Sequence, residues 1–392
     1  MSGPPADPLG YYDELLTAAE RTKLAALRAY LDEHARPHLP LWWERGESPA
    51  HLRAGLAALG LEDDPELAGD DGRPSAAYEG FKHFEFQRFD ASIATLYHGQ
   101  VGMFRTAVRA GGSPEQVARL DPLIASFALT GCFALTEPDH GSDVARGLAT
   151  TARRDGDDWI IDGRKRWIGN AAISDVLLVV AKDTSDGRAK AFLVPRETTG
   201  VSVEDICGKI ALRMVRNGDI TLQGVRVAES DRLARIESFA DVSAILAKLR
   251  YVVGWNAAGM QTGAYESALA YALGREQFGR AIAGFQLIQE KLARMLGNAS
   301  ATLSLAVRLT ELHRRGELSH SAAALAKTWA ADRVRETVAL GREIAGAEGI
   351  RVDNDLARYF CDAEAVYTYE GTHEINSLIV GRAITGLSAF TR

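Results

Sequence analysis

The hydrophobic pattern of this chain changes twice, near residue 131 and again near residue 239. Before the first change, leucines recur at near-helical spacing over residues 11–35. Residues 79–104 then form a run rich in large apolar side chains and free of proline. Such patterns are typical of amphipathic and buried helices, so we predict helices up to residue 130.

The segment that follows residue 130 carries short β-prone runs instead of a helical pattern. Two of its turn candidates are Asp162-Gly163 and Asp186-Gly187, each flanked by such runs. Asp-Gly is a strong signal for a hairpin turn. Residues 220–229 add a further β-prone run. We therefore predict two hairpins within a small antiparallel sheet or barrel.

Helical periodicity returns in the last third of the chain, where Ala/Leu-rich amphipathic segments with short connections predict a bundle. Ser319 is a candidate N-cap, and Gly346 and Gly349 should end the helix that it begins. The predicted segments lie near residues 242–273, 281–315, 319–345 and 374–386.

These patterns predict an α+β fold with three domains. An N-terminal all-α domain would span residues 1–130, a middle antiparallel β-barrel domain residues 131–238, and a C-terminal four-helix bundle residues 239–392. A chain of 392 residues, 46% apolar and 25% charged, suits such a globular protein. Its net charge of −7 argues against a general nucleic-acid binder.

The cysteines bear on the compartment. Cys132, Cys207 and Cys361 are far apart and form no CxxC pair, so neither a disulfide framework nor a metal site is expected. The sequence has no secretory leader pattern, no peroxisomal terminal tripeptide and no apolar run of the roughly 18 residues that a membrane span needs. We expect a cytoplasmic protein without a membrane span.

Four segments are candidates for chemistry. Residues 133–143 (FALTEPDHGSD) form a turn-rich loop with hydrogen-bond donors suited to a ring edge or a phosphate, or else an ordinary interdomain loop. Residues 165–170 (KRWIGN) place a tryptophan at a strand end, for a flat cofactor or for the core. Residues 274–292 offer an arginine for a diphosphate, or simply a helix break.

The fourth segment is YTYEGTHEINSLIVGR, residues 367–382. Glu370 stands there beside aromatic and glycine neighbours, just ahead of a predicted helix. A carboxylate in an apolar setting has a raised pKa and becomes a usable base near neutral pH. The alternative is a capping or salt-bridged glutamate. No GxGxxG follows a strand, so a nicotinamide site is not indicated.

Taken as a set, LTEPxxGSD, WIxN, RxQFG and YEGTxxI resemble the acyl-CoA dehydrogenase family over essentially the whole chain. TYEGTHEI and GRAITGLSAF are similar to glutaryl-CoA dehydrogenases, and KRWIGN, IALRMVRNGDITL and MLGN to plant short-chain acyl-CoA oxidases. The resemblance implies the helix–barrel–bundle fold, FAD, an acyl-CoA substrate, a homotetramer with FAD at a subunit boundary, and an electron-transfer flavoprotein as acceptor.

The resemblance also assigns roles. Glu370 would remove the α-proton while the β-hydride goes to the flavin. FAD would be held by Phe133, Leu135, Thr136, Ser142, Trp167, Ile168, Gly169, Arg275, Phe278, Gln286, Gly346, Thr372 and Glu374, with Arg275, Phe278 and Gln286 serving a neighbouring subunit. Acyl-CoA would meet Ala94, Thr95, Ser142, Arg250, Tyr369 and Gly371.

Three departures from the family pattern affect the expected substrate and acceptor. Where glutaryl-CoA dehydrogenases grip the distal carboxylate with arginine, this chain has Ala94 and then Thr95, so an uncharged short or branched acyl group is expected. Gly169 replaces the usual Thr or Ser beside the flavin. GAEG replaces GGNG at residues 346–349.

Several alternatives stay open at this point. An acyl-CoA oxidase that reduces oxygen to peroxide is favoured somewhat by Gly169, and a glutaryl-CoA dehydrogenase by the terminal motifs. A flavin monooxygenase on the same fold would not need Glu370. A catalytically inactive binding subunit would not need to retain both Glu370 and the flavin motifs.

Overall fold

The computed structural model describes residues 7–69 and 72–389, without the side chains of Lys248 and Arg250. Residues 1–6 and 70–71 of the predicted first domain and residues 390–392 of the third lie outside the described residues. Helices fill the chain up to Ala125, as predicted. They are α1 (Ala18–His34), α2 (Leu39–Arg45), α3 (Arg53–Ala58), α4 (Ala76–Phe89), α5 (Ala91–His98), α6 (Arg105–Gly111) and α7 (Pro114–Ala125), with a π-helical segment Gly99–Phe104 between α5 and α6.

Local sequence explains where these helices begin. Thr17 and Glu20 form a capping box at α1, each side chain bonding the other's backbone N–H. Ser75 caps α4, and Asp90 caps α5 by accepting two backbone N–H bonds. Leu27 and Leu31, which the spacing placed on an apolar face, are buried.

One sheet follows. Its strands are β1 (Gly131–Ala134), β2 (Thr151–Asp155), β3 (Asp158–Ile168), β4 (Val176–Asp183), β5 (Ala189–Pro195), β6 (Val201–Asp205) and β7 (Gly218–Ala228), with a short helix α8 (Val144–Gly147) after β1. The order is β1-β4-β2-β3-β7-β6, with β5 paired to β4. Both β1 and β2 run parallel to β4, so the sheet is mixed. The prediction of a purely antiparallel sheet is therefore wrong.

The hairpin predicted at Asp162-Gly163 is wrong, because β3 continues straight through it. The pairing with β7 shifts register between Ile161 and Gly163, and Gly163 has φ 152°. The extra residue lies in β7, where Gln223 and Gly224 face Asp162 alone, so the irregularity is a β-bulge of β7. The turn between β2 and β3 lies earlier, at Gly156 with φ 66°. The second predicted hairpin, around Gly187, is confirmed between β4 and β5.

The last part of the chain is helical again, apart from a small hairpin of β8 (Glu276–Gln277) and β9 (Arg280–Ala281). Its helices are α9 (Phe239–Arg250), α10 (Val252–Gly274), α11 (Gln286–Arg314), α12 (His320–Ala345), α13 (Asp355–Thr368) and α14 (His373–Thr385). Ser319 caps α12 and Gly346 ends it, as predicted. The segment predicted over 242–273 is two helices, and α13 was missed.

Helix α10 joins the first and last groups of helices. It packs on α4, α11 and α12. A Cβ at Gly259 would overlap the Phe84 carbonyl, and one at Gly263 would overlap the Arg88 carbonyl. The α4 and α10 backbones are therefore in direct contact, which brings polar residues of both helices to one place. The predicted α+β order of helices, sheet and helices is confirmed; the boundaries at 130 and 238 remain predictions. No helix in the described residues is long and apolar enough to cross a membrane.

Candidate active site

Glu370 lies in the short turn between α13 and α14, with a left-handed backbone at φ 56°. Gly371, which follows, has φ 87°, and Thr372 caps α14 by accepting the Ile375 N–H. A glutamate at positive φ stores roughly 1–3 kcal/mol of strain and persists only where its surroundings impose it. The turn therefore fixes the backbone that carries this carboxylate.

Asn376, buried in the first turn of α14, holds the turn in place. Its amide donates hydrogen bonds to the carbonyl oxygens of Gly371 and Thr372 at 2.9 and 3.1 Å. Sequence reasoning missed this residue. Its position six residues after the candidate base was the available signal.

Lys327 of α12 is a second residue that sequence reasoning missed. It is 1% exposed, and its ammonium donates a 2.6 Å hydrogen bond to the Tyr367 carbonyl oxygen. Burial lowers the pKa of Lys327 to about 8, although the charges of Glu370, Glu374 and Asp332 raise it. The candidate base is thus paired electrostatically with a buried cation.

The two candidate flavin segments meet where the loop after β1 lies beside the end of β3. The Arg166 N–H donates to the Thr136 carbonyl at 2.8 Å. Buried Lys165 donates to Glu137 at 2.8 Å and to the Leu135 carbonyl at 3.1 Å. Glu137 also accepts backbone N–H bonds from Ala149 and Thr150, the two residues just before β2. The Lys165–Glu137 pair, which sequence reasoning missed, ties residues 133–142 to residues 165–170.

Trp167 lies at the end of β3, next to this contact. It has φ 62° and its side chain is 53% exposed, whereas Ile168 beside it is buried. An exposed indole on a strained strand end suits the face of a planar ring. A Cβ added at Gly169 would meet nothing closer than 3.9 Å. Thr136 is half-buried, Ser142 is exposed and Phe133 is half-buried in the adjoining loop, so these residues fit a flavin.

The remaining candidates for FAD lie on the surface. Phe278, at φ 53° in the β8–β9 turn, is 93% exposed and contacts Phe285 edge-on. Arg275, Gln286 and Glu374 are exposed as well. Gly346 has φ 59° at the end of α12. The hairpin residues are presented outward rather than gathered around Glu370.

Some of the candidate substrate residues lie beside Glu370, and the others lie elsewhere in the structure. Tyr369 and Gly371 flank Glu370 directly. Ala94 is fully buried among the N-terminal helices, and Thr95 is half-buried with its hydroxyl bonded to the Ala91 carbonyl. Arg250 ends α9, and its side chain lies outside the described residues.

Residues 132–225 match the model of the acyl-CoA dehydrogenase middle domain, and residues 239–385 match that of the acyl-CoA dehydrogenase C-terminal domain. An acyl-CoA dehydrogenase from Bacillus subtilis (strain 168) is 31% identical over 92% of this chain and 96% of its own length. A glutaryl-CoA dehydrogenase structure from Mycobacterium smegmatis is similar with a TM-score of 0.90 and 37% identity, covering 99% of this chain and 100% of that one. Another, in complex with FADH2, has a TM-score of 0.89 and 32% identity over 98% of this chain and 99% of that one.

Proposed function

The chain belongs to the acyl-CoA dehydrogenase family, and we propose that it oxidises the Cα–Cβ bond of a short or branched, uncharged acyl-CoA to the 2-enoyl-CoA. It is an FAD-dependent oxidoreductase that acts on CH–CH groups. The observation that best supports the proposed reaction is the position of Glu370 in a strained turn near the buried Lys327.

In this proposal Glu370 removes the α-proton of the thioester. The backbone N–H of the same residue donates to the thioester carbonyl oxygen, where negative charge develops. A base and a donor on one residue require a rigid turn, and Asn376 supplies that rigidity by bonding the carbonyls of Gly371 and Thr372. FAD, when bound, supplies a ring nitrogen that accepts the hydride from Cβ.

We propose that the flavin ring lies against Trp167, with Thr136 and Ser142 donating to its edge. Arg275, Phe278 and Gln286 would hold the ADP half of FAD in a neighbouring subunit, with Gly346, Thr372 and Glu374 near the diphosphate. The 93% exposure of Phe278 supports this, since a large apolar side chain gains most when a second chain covers it. The corresponding assembly is a homotetramer, and the electron acceptor is an electron-transfer flavoprotein.

The first two arginines after Ala94 in the sequence support an uncharged substrate. Arg105 is buried and binds both oxygens of Asp121 at 2.7 and 2.8 Å and Asp63 at 2.6 Å. Arg109 also binds both oxygens of Asp121, at 2.6 and 2.7 Å. Both guanidinium groups are thus held by carboxylates, so neither is free for the distal carboxylate of a dicarboxylyl chain.

An acyl-CoA oxidase is the second candidate. The missing side chain at Gly169 favours it, because a Cβ would fit there in ordinary van der Waals contact, and leaving that space unfilled next to a reduced flavin gives oxygen an approach. The free cysteines Cys132, Cys207 and Cys361 support a reducing, cytoplasmic location for either enzyme.

The deciding experiment is anaerobic titration of the purified flavoprotein with acyl-CoAs of different length, branching and charge. Loss of the oxidised flavin absorbance by an uncharged short acyl-CoA, and its recovery with an artificial acceptor, is the expected result. A flavin that no acyl-CoA reduces would rule the proposal out.

A further inference from the structure

Helix α5 and the π-helical segment after it present one half-buried face to the interior of the molecule. Thr95, His98, Gly99 and Gly102 recur along it at helical spacing, and each is only partly enclosed. A π-helical turn inside a helix often marks a functional site. Across from this face, His83 of α4 stacks on His98, with ring centroids 3.6 Å apart and planes inclined by 17°.

This histidine pair reaches both parts of the candidate active site. Asn256 of α10 lies beside His83 and also beside Tyr369, the residue before Glu370. On the other side, the Asn170 amide donates to the Leu96 carbonyl at 3.3 Å, and a Cβ at Gly99, next to His98, would lie 2.8 Å from the Asn170 amide nitrogen. Asn170 follows the Trp167–Gly169 loop. The cluster of His83, His98, Asn256 and Tyr369 therefore adjoins the base and the proposed flavin edge.

The polar atoms of this cluster are enclosed but not satisfied. Among the described residues, five of these atoms have no hydrogen bond of good geometry: His83 Nδ1, His98 Nδ1 and Nε2, Asn256 Oδ1 and the Tyr369 hydroxyl. Asn256 is close enough to His83 and Tyr369 for weak hydrogen bonds, whereas neither nitrogen of His98 has a partner in the part of the chain that the structure describes. Native proteins leave few such groups, and each is costly. Several together, beside a reaction site, indicate a site built to hydrogen-bond a ligand rather than to pack an alkyl chain.

Both imidazoles are neutral at physiological pH. Burial, followed by the nearby charge of Lys82, lowers the pKa of His83 to about 3. Burial, His83 and Lys82 lower the pKa of His98 well below its usual value. Lys82 is itself held by Glu62 at 2.6 Å and Glu79 at 2.9 Å. Each ring thus offers one N–H donor and one lone pair, with no charge to match a carboxylate.

We propose that His83, His98, Asn256 and Tyr369 form a subsite for an uncharged hydrogen-bonding substituent (a hydroxyl, carbonyl or amide) at Cγ or beyond on the acyl group. The inference rests on the proposed function, because Cα and Cβ must lie between Glu370 and the flavin, which leaves only later carbons to reach the cluster. A purely alkyl chain would leave both nitrogens of His98 without a partner among the described residues. A hydroxyl both donates and accepts, which matches neutral imidazoles.

The test compares pairs of acyl-CoAs that differ only in a terminal hydroxyl or methyl group: 4-hydroxybutyryl- against pentanoyl-CoA, and 5-hydroxypentanoyl- against hexanoyl-CoA. In the wild-type holoenzyme, kcat/KM should favour the hydroxylated member of at least one pair by about 5- to 150-fold, the range for one buried group left unpaired. His98→Leu and His83→Phe should each reduce or invert that ratio, mainly through KM. His34→Leu on α1 is the matched control and should keep it.

The outcomes separate the inference from the function. If the wild type favours the methyl member of both pairs, or if the ratio is unchanged in both histidine variants, the subsite assignment is wrong. If kcat/KM is higher with glutaryl-CoA than with either hydroxylated ester, the proposal that the substituent is uncharged is wrong. The test compares kcat/KM ratios within each protein, so one histidine variant that retains FAD is enough for a decision. If neither variant retains FAD, the ratio of the wild type decides. If no acyl-CoA reduces the flavin, the proposed function itself fails.

Discussion

Lys327 donates a 2.6 Å hydrogen bond from its buried ammonium group to the carbonyl oxygen of Tyr367, three residues before Glu370. The contact anchors the end of α13 to α12, just ahead of the turn that carries the candidate base. It also places a positive charge near Glu370, Glu374 and Asp332, whose charges partly offset the effect of burial on the pKa of Lys327.

This buried lysine predicts a specific dependence of stability on pH. Its pKa is about 8 in the folded protein, below its ordinary value of 10.5. Between these pH values the unfolded chain binds more protons, so the free energy of unfolding should rise with pH. The rise from this group is at most about 3 kcal/mol, and Lys327→Met should lack it.

Urea denaturation of wild type and Lys327→Met across that range checks the prediction. Lys165 and Lys209 also have a pKa lowered to about 8 by burial, so only the difference between the two proteins isolates Lys327. Parallel curves for wild type and variant would show that the Lys327 ammonium is not destabilised by burial.

Glu370→Gln should abolish turnover while leaving FAD and acyl-CoA bound. An amide cannot accept the α-proton, and loss of a general base costs roughly 10²–10⁴ in rate. Stopped-flow reduction of the flavin measures that step directly. Glu364→Gln, which removes a carboxylate from the surface of α13, is the control and should reduce the flavin normally. Rapid flavin reduction by Glu370→Gln would show that the base is another residue.

Arg275→Ala should weaken FAD retention and assembly together. The proposed bidentate contact to the diphosphate of a neighbouring subunit is worth about 1.5–3 kcal/mol, or roughly 10- to 150-fold in Kd. Flavin content and sedimentation velocity measure the two effects, with Arg314→Ala on α11 as control. A wild-type monomer that retains full FAD occupancy is incompatible with a site shared between subunits.

Much of the fold could be predicted because its helices carry regular apolar spacing and clear caps such as Ser319. Helix α13 escaped prediction because its buried face includes the charged residues Arg358 and Asp362, which interrupt the apolar period. The turn predicted at Asp162-Gly163 was wrong because this dipeptide lies inside β3, opposite a bulge in β7 that the local sequence does not reveal.

The candidate site shows the same limit. The turn around Glu370 could be expected from Gly371 and the N-cap Thr372, since both signals are local in sequence. Lys327 could not, because it is one lysine in an alanine-rich helix and contacts Tyr367, 40 residues later at the end of α13, only through tertiary packing. His83 and Asn256 meet for the same reason, through the contact of α4 with α10.

Substrate charge gives a further prediction. Ala94 is buried in the core and carries no charge. Arg105 and Arg109 are both paired with Asp121, so neither guanidinium group is free to bind a distal carboxylate. Butyryl- or isobutyryl-CoA should therefore exceed glutaryl-CoA in kcat/KM by at least about tenfold, since a buried carboxylate without a partner is costly. Steady-state kinetics with an artificial acceptor measures the ratio. A clear preference for glutaryl-CoA would mean that another cation reaches the acyl group.

The last prediction concerns oxygen. Dehydrogenases protect a reduced flavin by keeping its surroundings dry and tightly packed around the bound product. At Gly169 an added Cβ would make ordinary van der Waals contact with Asn217 Nδ2 at 3.9 Å and Val215 Cγ1 at 4.0 Å, so the position accepts a side chain and the glycine leaves that space unfilled. We therefore expect measurable peroxide formation in the wild type as a minor path, and Gly169→Thr should lower it without strain on neighbouring atoms. The measurement is peroxide produced per acyl-CoA oxidised, with and without an artificial acceptor. If the product-bound reduced enzyme is inert to air and the threonine variant behaves identically, the space at Gly169 has no role in oxygen access.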